Sequence, residues 1–203
     1  TREIVLRYAK LDPRIHYHLL ERNSGAAIAR TAAMHLAKGS YMAFLDSDDI
    51  WMPDKLSKQI AWMQKNGYAF SCTSYTQIES GAPTGKTIES IPKTNYNRLL
   101  LDCPVGNSSV IYDVEKMGKF EVPNIRKRND DALWLQMLKK EPYIWGMPEV
   151  LMKYRIRKNS ISSNKLKVVK YHWILYREIE HLSVARSAFH ICYWGMIKLL
   201  HIK

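Results

Sequence analysis

The chain has 203 residues, of which 46% are hydrophobic and 25% charged, so it is long and apolar enough to fold as one domain with a sizeable core. This composition excludes disorder as the default, and no apolar run approaches the roughly 18 residues of a spanning helix. We expect no signal peptide at its start. Cys72, Cys103 and Cys192 lie far apart without a CxxC pair, which argues against a disulfide framework or zinc ribbon and favours a reducing compartment.

The net charge of +12 is concentrated towards the end of the chain. Residues 151–203 contain 11 lysines and arginines against two acids, Glu178 and Glu180, so they carry +9 of the total. A basic surface of this kind suits phosphate-bearing ligands, anionic lipid headgroups or nucleic acid, and composition alone does not choose among them.

The first third of the chain alternates between predicted helices and strands. Capping residues, apolar periodicity and terminal glycines predict helices at 3–10, 23–39 and from Pro53 to Gly67, and strands at 14–20, 41–46 and 68–78. Because strands and helices follow one another in this rhythm, we expect an α/β fold with a mainly parallel sheet and helices on its faces.

The rest of the chain predicts more irregular elements. We expect a loop at 79–95, a short helix at 95–102, a strand at 107–113, a helix at about 131–140, and strand-like runs over 143–156 broken at Gly146 and Pro148. From about Lys165 to the end, a long amphipathic helical segment rich in aromatic and basic residues is predicted. No linker is long enough to separate two independent domains.

Three carboxylates follow the short predicted strand at 41–46, in the run "LDSDDIW". Ligands of open α/β sheets sit beyond the carboxyl ends of strands, so Asp46, Asp48 and Asp49 lie where a site is expected. Mg²⁺ or Mn²⁺ takes one or two carboxylates and leaves positions open for substrate phosphate. The alternative is that these acids only cap the next helix, whose dipole favours them. An EF-hand is excluded because Ile50 and Trp51 occupy required ligand and glycine positions.

The run "NSGAAIAR…AKGSYMAFLDSDDIWMPDKL" resembles the nucleotide-sugar half of family 2 glycosyltransferases of the GT-A fold. The later stretches "KRNDDALWLQMLKK" and "YRIRKNSISSNK" are similar to that family's catalytic segment and to its Tyr-Arg…Asn-Ser-x-Ser segment. Three motifs in the right order make a stronger signal than any one of them. The resemblance implies a GT-A domain over residues 1–164 and a basic helical extension over 165–203.

The resemblance also implies roles for residues in the first half of the motif set. Asp48 would be the main ligand of Mn²⁺ or Mg²⁺, with Asp46 and Asp49 completing the metal and ribose end of the site. Arg30 would face the nucleotide diphosphate, although a helix arginine is equally often a solvated surface residue.

Asp130 matches the family's general base by its spacing to Leu133 and Trp134, and Asp131 is expected only to cap the helix. Where the family has Glu or Gln before the base, this chain has Asn129. The implied reaction is a single displacement with inversion, in which Asp130 accepts the proton of an acceptor hydroxyl as that oxygen attacks the anomeric carbon. A carboxylate is ionised at neutral pH and is therefore ready to accept.

The basic stretch after the last strand resembles a segment that closes over the donor diphosphate. Arginine offers paired donors to phosphate oxygens and hydroxyls add bonds, which assigns donor binding to Arg155, Arg157, Ser160 and Ser162. Many relatives have His in place of Arg157, so direct metal contact from this position is not expected. A solvated basic loop is the simpler alternative. Asn107, Ser108 and Ser109 are expected to be structural rather than sugar-binding.

The implied partners are a nucleotide-sugar donor and a glycan or lipid-linked acceptor, in cytoplasmic assembly of a bacterial cell-surface polysaccharide. The basic, aromatic tail fits a helix lying on the inner face of an anionic membrane, or equally a helix packing on its own domain or a second subunit. A non-catalytic remnant that binds membranes or polyanions is the alternative function. Nucleic-acid binding is a weaker reading of the charge, since the basic tail accompanies an acidic metal-type site.

The family's first strands, with Pro-x-Tyr/Phe-Asn and Asp-Asp-Gly-Ser motifs that hold the nucleotide base and ribose, have no counterpart in this sequence. Thr1 falls within the helix that should follow them. Two alternatives follow: in a complete chain the donor pocket would lack a wall and activity would be doubtful, whereas in an excerpt of a longer protein this objection disappears.

Overall fold

The structure is a computed structural model that describes residues 2–157 and 165–200. The α-helices of the described residues are α1 (Arg2–Ala9), α2 (Gly25–Leu36), α3 (Lys55–Asn66), α4 (Tyr96–Leu101), α5 (Val114–Met117), α6 (Asn129–Leu138), α7 (Lys165–Ile174) and α8 (Val184–Leu200). The helices predicted at 3–10, 23–39, 53–67, 95–102 and 131–140 are thereby confirmed, with shifts of a few residues at their ends.

The strands form a seven-stranded sheet. They are β1 (Tyr41–Ala43), β2 (Ile50–Trp51), β3 (Phe70–Glu79), β4 (Ala82–Ile88), β5 (Lys93–Thr94), β6 (Ile111–Asp113) and β7 (Ile144–Ile156). The order is β1-β6-β3-β7-β2, with β4 beside β3 and β5 beside β7. The predicted α/β class with a mixed sheet is confirmed. The expected parallel bias is wrong, because β3–β7 alone is parallel among the strand pairs of the described residues.

One strand prediction and one loop prediction are wrong. Residues 14–20 alternate polar and apolar side chains but form no strand, and they lie outside the sheet. The segment predicted as a loop at 79–95 instead forms β4, paired antiparallel with β3, and β5, paired with β7. Six of the seven β4 side chains are exposed, so this strand carries no apolar alternation that a sequence pattern could reveal.

β7 is continuous where the sequence predicts breaks at Gly146 and Pro148. A side-chain carbon at Gly146 would lie 2.1 Å from the Ile91 carbonyl oxygen. Glycine is therefore required here, because the backbone segment that contains Ile91 approaches so closely. Pro148 falls in a bulge, because Met147 pairs with Thr73 whereas Val150 pairs with Ser74. A bulge tolerates proline because its residues make no regular ladder bonds.

The core places α6 against the sheet directly behind the acidic turn. Trp134 of α6 is fully buried and contacts Phe44 at 5.2 Å between ring centroids and Phe70 at 5.7 Å. Phe44 lies two residues before Asp46, and Trp134 lies four residues after Asp130. The two motifs singled out in the sequence are therefore fixed to each other by a shared aromatic contact.

The C-terminal segment is not one long helix. α7 continues into a π-helical turn (Leu175–Ile179), and the chain then bends before α8 begins at Val184, with His181 in the left-handed region (φ 53°). Tyr176 Oη donates to the Leu100 carbonyl oxygen at 2.8 Å, and Glu180 accepts from Tyr96 Oη. The segment therefore packs on α4, and its separation as an extension stays a prediction. No described helix is long and apolar enough to cross a membrane.

Candidate active site

The acidic run forms a tight turn between β1 and β2. The Asp49 amide donates to the Asp46 carbonyl oxygen at 3.0 Å, which closes the turn and directs the intervening residues outward. Asp46, Asp48 and Asp49 are all partly exposed, whereas Ser47 is exposed. The three predicted carboxylates thus share one short turn just after a buried strand.

A second segment, far away in sequence, holds this turn in place. We call the 3₁₀ turn Asn107–Ser109 the serine turn. Asn107 Nδ2 donates to Asp46 Oδ1 at 2.9 Å, and Ser108 Oγ donates to Asp49 Oδ2 at 2.6 Å. The Asp46 amide donates in turn to Ser108 Oγ at 3.0 Å. The expectation that these residues are structural fits their contacts, but what they support is the site itself.

The end of β7 contacts the other side of the acidic turn. The Arg155 amide donates to Asp49 Oδ1 at 3.0 Å, and Arg155 Nε donates to the Asp48 carbonyl oxygen at 2.8 Å. Arg157 Nε lies 3.1 Å from Asp48 Oδ2 in an ion pair whose arginine side chain is 59% exposed. Both predicted arginines therefore lie at the site. Ser160 and Ser162 lie outside the described residues.

Arg30 joins the acidic turn to the start of α6. Its Nη2 donates to Asp46 Oδ1 at 2.8 Å and its Nη1 donates to Asn129 Oδ1 at 2.5 Å. Asn129 immediately precedes Asp130, so one guanidinium spans the two acidic motifs. In this structure both terminal nitrogens of Arg30, Nη1 and Nη2, donate to protein groups. Arg30 is therefore a link between the motifs as well as a candidate phosphate contact.

The two neighbouring acids of α6 differ sharply in environment. Asp131 is 5% exposed and pairs with Arg128, whose Nη1 lies 2.9 Å from Asp131 Oδ2. Burial raises the pKa of the Asp131 carboxyl to about 6, although the Arg128 charge opposes the shift. Asp130 is partly exposed. Arg128 itself takes a left-handed backbone conformation (φ 64°) immediately before the helix.

Tyr154 of β7 lies within electrostatic reach of both acidic motifs and was given no role by the sequence. Burial raises the pKa of its phenol, and the carboxylates of Asp49, Asp48, Asp46 and Asp130 raise it further. Carboxylates of both acidic motifs therefore lie within electrostatic reach of one phenol. Its position immediately before Arg155 in β7 was not signal enough to single it out.

The donor set of the acidic turn fits a divalent ion only in part. Asp49 accepts hydrogen bonds on both carboxylate oxygens and Asp46 accepts two on Oδ1, whereas the Asp48 carboxylate is engaged, among the described residues, by the Arg157 ion pair alone. Burial raises the pKa of Asp49 despite the opposing Ser108 hydrogen bond. Within residues 2–157 and 165–200 no three His, Cys, Asp or Glu side chains converge as a ready metal site. One or two carboxylates suit Mg²⁺ or Mn²⁺ when substrate phosphates supply the remaining oxygens.

A family model described as "Glycosyl transferase family 2" matches residues 1–122. The chain belongs to glycosyl transferase family 2. The matched residues include Arg30 and the acidic turn, whereas Asp130 and the arginines of β7 lie beyond them. The predicted family is therefore confirmed by more than half of the chain.

Curated relatives agree with this family and extend past the matched range. The chain is 46% identical over 188 residues to the "Putative teichuronic acid biosynthesis glycosyltransferase TuaG" of Bacillus subtilis, covering 92% of this chain and 75% of that protein. It is 38% identical over 174 residues to the "UDP-Glc:alpha-D-GlcNAc-diphosphoundecaprenol beta-1,3-glucosyltransferase WfgD" of Escherichia coli, covering 85% and 67%. Both names belong to enzymes of cell-envelope glycan assembly.

The fold matches that of a solved glycosyltransferase. The crystal structure of S. aureus TarS 1-349 in complex with UDP-GlcNAc superposes with a TM-score of 0.66 at 16% identity. The match covers 95% of this chain and 58% of that one, so the chain spans less than two thirds of its solved neighbour. This likeness confirms the predicted GT-A architecture.

Proposed function

We propose that the chain carries the transfer site of an inverting glycosyltransferase, which moves a sugar from a nucleotide-sugar donor to a hydroxyl of a lipid-linked or glycan acceptor. The observation that carries this proposal is the Arg30 bridge, which ties Asp46 to the residue before Asp130. A donor-binding carboxylate and a proton acceptor on one side of the fold are what a single displacement requires.

Asp130 is proposed as the general base. It is partly exposed at the first turn of α6, so its carboxylate is open to an acceptor hydroxyl. It takes the hydroxyl proton as the acceptor oxygen forms its bond to the anomeric carbon and the bond to the donor diphosphate breaks. Asp131 is buried against Arg128 and is assigned to holding the helix start rather than to proton transfer.

The donor is proposed to lie over the acidic turn. Asp48, with Asp46 beside it, would hold the divalent ion, which when bound supplies positive charge to the departing diphosphate. Arg157 is exposed and already paired with Asp48, so it can turn to the phosphate oxygens. Arg155 and Asp49 hold each other through the Arg155 amide, which assigns Asp49 to fixing the turn and Arg155 to its support. Ser160 stays a proposed donor contact.

The acceptor is proposed to be lipid-linked, which calls for contact with a membrane surface. α8 exposes Phe189 (58%), Met196 (48%) and Leu199 (79%) along one side, at helical spacing. Residues 151–203 carry a net charge of +9, which complements anionic headgroups. The name of WfgD, a relative, specifies a diphosphoundecaprenol acceptor. We therefore place α8 at the inner leaflet, as a peripheral contact.

The function is tested by donor turnover with purified protein of full natural length. UDP-, GDP- and TDP-sugars are offered with a diphosphoundecaprenyl-linked acceptor, with Mn²⁺ and after chelation. We expect turnover with a UDP-sugar that depends on the metal. UDP binding without turnover across the acceptors would favour the non-catalytic alternative, and no nucleotide binding would contradict the proposal.

Membrane contact is tested separately by flotation with phosphatidylglycerol or phosphatidylcholine vesicles. The wild type should float with the anionic vesicles, and Phe189→Ser/Met196→Ser/Leu199→Ser should not. Leu36→Ser/Leu56→Ser removes exposed leucines elsewhere and should float as the wild type does. Equal flotation of the triple variant, or concentration-dependent dimers that the triple variant abolishes, would overturn this assignment.

A further inference from the structure

α3 buries two polar side chains where a helix normally places apolar ones. Lys55 and Gln59 are both fully buried, although the apolar Met63 continues the same face one turn later. A buried lysine is unfavourable unless its amine is well placed, because burial removes the charge from water. Burial accordingly lowers the pKa of Lys55 to about 7.

The polar side chains form a row with Trp51, at spacings of four residues. Lys55 Nζ donates to Gln59 Oε1 at 2.6 Å and lies 4.9 Å from the centre of the Trp51 ring. Gln59 Nε2 donates to Ser71 Oγ of β3 at 2.9 Å. The row is therefore internally bonded and attached to the sheet.

This row holds the backbone of the serine turn. Trp51 Nε1 donates to the Ser108 carbonyl oxygen at 2.7 Å. Gln59 Nε2 and Lys55 Nζ both donate to the Ser109 carbonyl oxygen, at 3.1 and 3.4 Å. Two consecutive carbonyl groups are thus satisfied by side chains of the row.

The serine turn in turn holds the acidic turn. The same Ser108 whose carbonyl accepts from Trp51 donates its hydroxyl to Asp49, and the preceding Asn107 donates to Asp46. A continuous chain of hydrogen bonds therefore runs from the interior of α3 to the carboxylates of the site. Buried hydrogen-bonded networks of this kind restrict the geometry of the groups they join.

We propose that Trp51, Lys55 and Gln59 are positioning residues for the donor. They set the serine turn, and through Asn107 and Ser108 they orient Asp46 and Asp49 beneath the nucleotide diphosphate. This inference rests on the proposed function, since it assigns donor binding to the acidic turn. It predicts that the row affects donor affinity and leaves acceptor affinity alone.

The test compares variants of the row with matched variants of α3 residues outside the row. Trp51→Phe removes the indole N–H and keeps the ring, and Lys55→Met removes the amine and keeps much of the volume. Trp62→Phe and Lys58→Met are the controls, because Trp62 packs on Tyr68 and Lys58 pairs with Asp54 and Glu149 at the surface. UDP binding with Mn²⁺, KM for donor and acceptor, and Tm are measured for each.

We expect both row variants to raise the UDP dissociation constant and the donor KM by about tenfold, with acceptor KM unchanged and both controls equal to the wild type. Trp51→Phe keeps the test open if Lys55→Met fails to fold. Wild-type UDP affinity in a folded row variant would overturn the inference, with any fall in Tm then reporting packing alone. If the wild type itself binds no UDP, the proposed function fails, and the inference fails with it.

Discussion

The acidic turn and the first turn of α6 each carry neighbouring carboxylates. In each turn one carboxylate is held by protein partners, and we call it the held acid; its neighbour is less constrained, and we call it the open acid. In the acidic turn Asp49 is bound on both oxygens, while the partner of Asp48 among the described residues is an exposed arginine. In α6 Asp131 is buried against Arg128 while Asp130 is partly exposed. Adjacent acids in a motif therefore need not share a role. The held acid of each pair orients the open acid beside it.

The two held acids differ in how their charge is satisfied. Asp49 receives neutral donors, the Ser108 hydroxyl and the Arg155 amide, and stays partly accessible to water. Asp131 pairs with a cationic partner, Arg128, and is almost inaccessible to water. A buried charge depends on its partner more strongly than a half-solvated one does, so the α6 pair should be the more sensitive to pH.

The largest effect is expected when the open acid of α6, Asp130, is replaced and compared with replacement of the held acid, Asp131. Asp130→Asn should lower kcat by between about 10² and 10⁴-fold with UDP affinity kept, because the amide cannot accept the proton. Asp131→Asn should keep most of the turnover. Steady-state rates of both variants measure this. Turnover lost in Asp131→Asn and kept in Asp130→Asn would reverse the assignment.

The next effect concerns the open acid of the other turn. Asp48→Asn should raise the UDP dissociation constant in Mn²⁺ at least about tenfold, towards the metal-free value, because the ion loses its protein carboxylate. Calorimetry with and without Mn²⁺ measures it. Asp12→Asn, which breaks an exposed pair with Arg14, is the control and should bind as the wild type does. Unchanged metal dependence in Asp48→Asn would remove Asp48 from the metal site.

A smaller effect is expected where the held acid of the turn loses its partner. Ser108→Ala should lower the free energy of unfolding by about 1–3 kcal/mol, because the buried hydroxyl serves both Asp49 and the Asp46 amide. Urea denaturation measures this change. Ser109→Ala removes a hydroxyl that bonds only within its own turn, to the Gly106 carbonyl oxygen. Weaker UDP binding in Ser109→Ala alone would show that the two serines have been assigned the wrong way round.

The smallest effect is a pH dependence of stability from Asp131. Its pKa is about 6 in the folded chain against a reference of 3.8, so the folded state binds the proton more tightly. This stabilisation is present below about pH 4 and is lost as pH rises through about 6. The stability of the wild type relative to Asp131→Asn should therefore fall over that interval. A constant difference across it would show that Asp131 stays ionised throughout.

Local signals in the sequence were sufficient for the helices and for the acidic turn. α3 ends where expected because Gly67 adopts a positive φ of 71° and its amide reaches back to the Gln64 carbonyl. By contrast, β4 has exposed side chains and owes its existence to pairing with β3, which no local pattern encodes. The alternation at 14–20 lacks any strand partner, so it stays irregular.

The candidate site was predictable as a set of residues but not as an arrangement. Asp46, Asp48, Asp49 and Asp130 could be selected by motif, yet the contacts that position them join residues far apart in the chain. Asn107 lies 61 positions from Asp46, and Arg30 lies 99 positions from Asn129. Lys55 and Gln59 could only be taken for ordinary polar residues of an amphipathic helix, because their burial depends on where the serine turn lies.

Glu180 determines where this protein can be shortened. Its side chain is 1% exposed, and its carboxylate accepts from Lys139 Nζ, just after α6, at 2.8 Å and from the Tyr96 hydroxyl of α4. A recombinant fragment ending before α7 would leave both donors without their acceptor and expose the neighbouring leucines to solvent. Attempts to obtain a minimal catalytic piece by trimming the basic tail should therefore yield insoluble material, whereas cuts beyond residue 183 preserve the carboxylate that fastens α6.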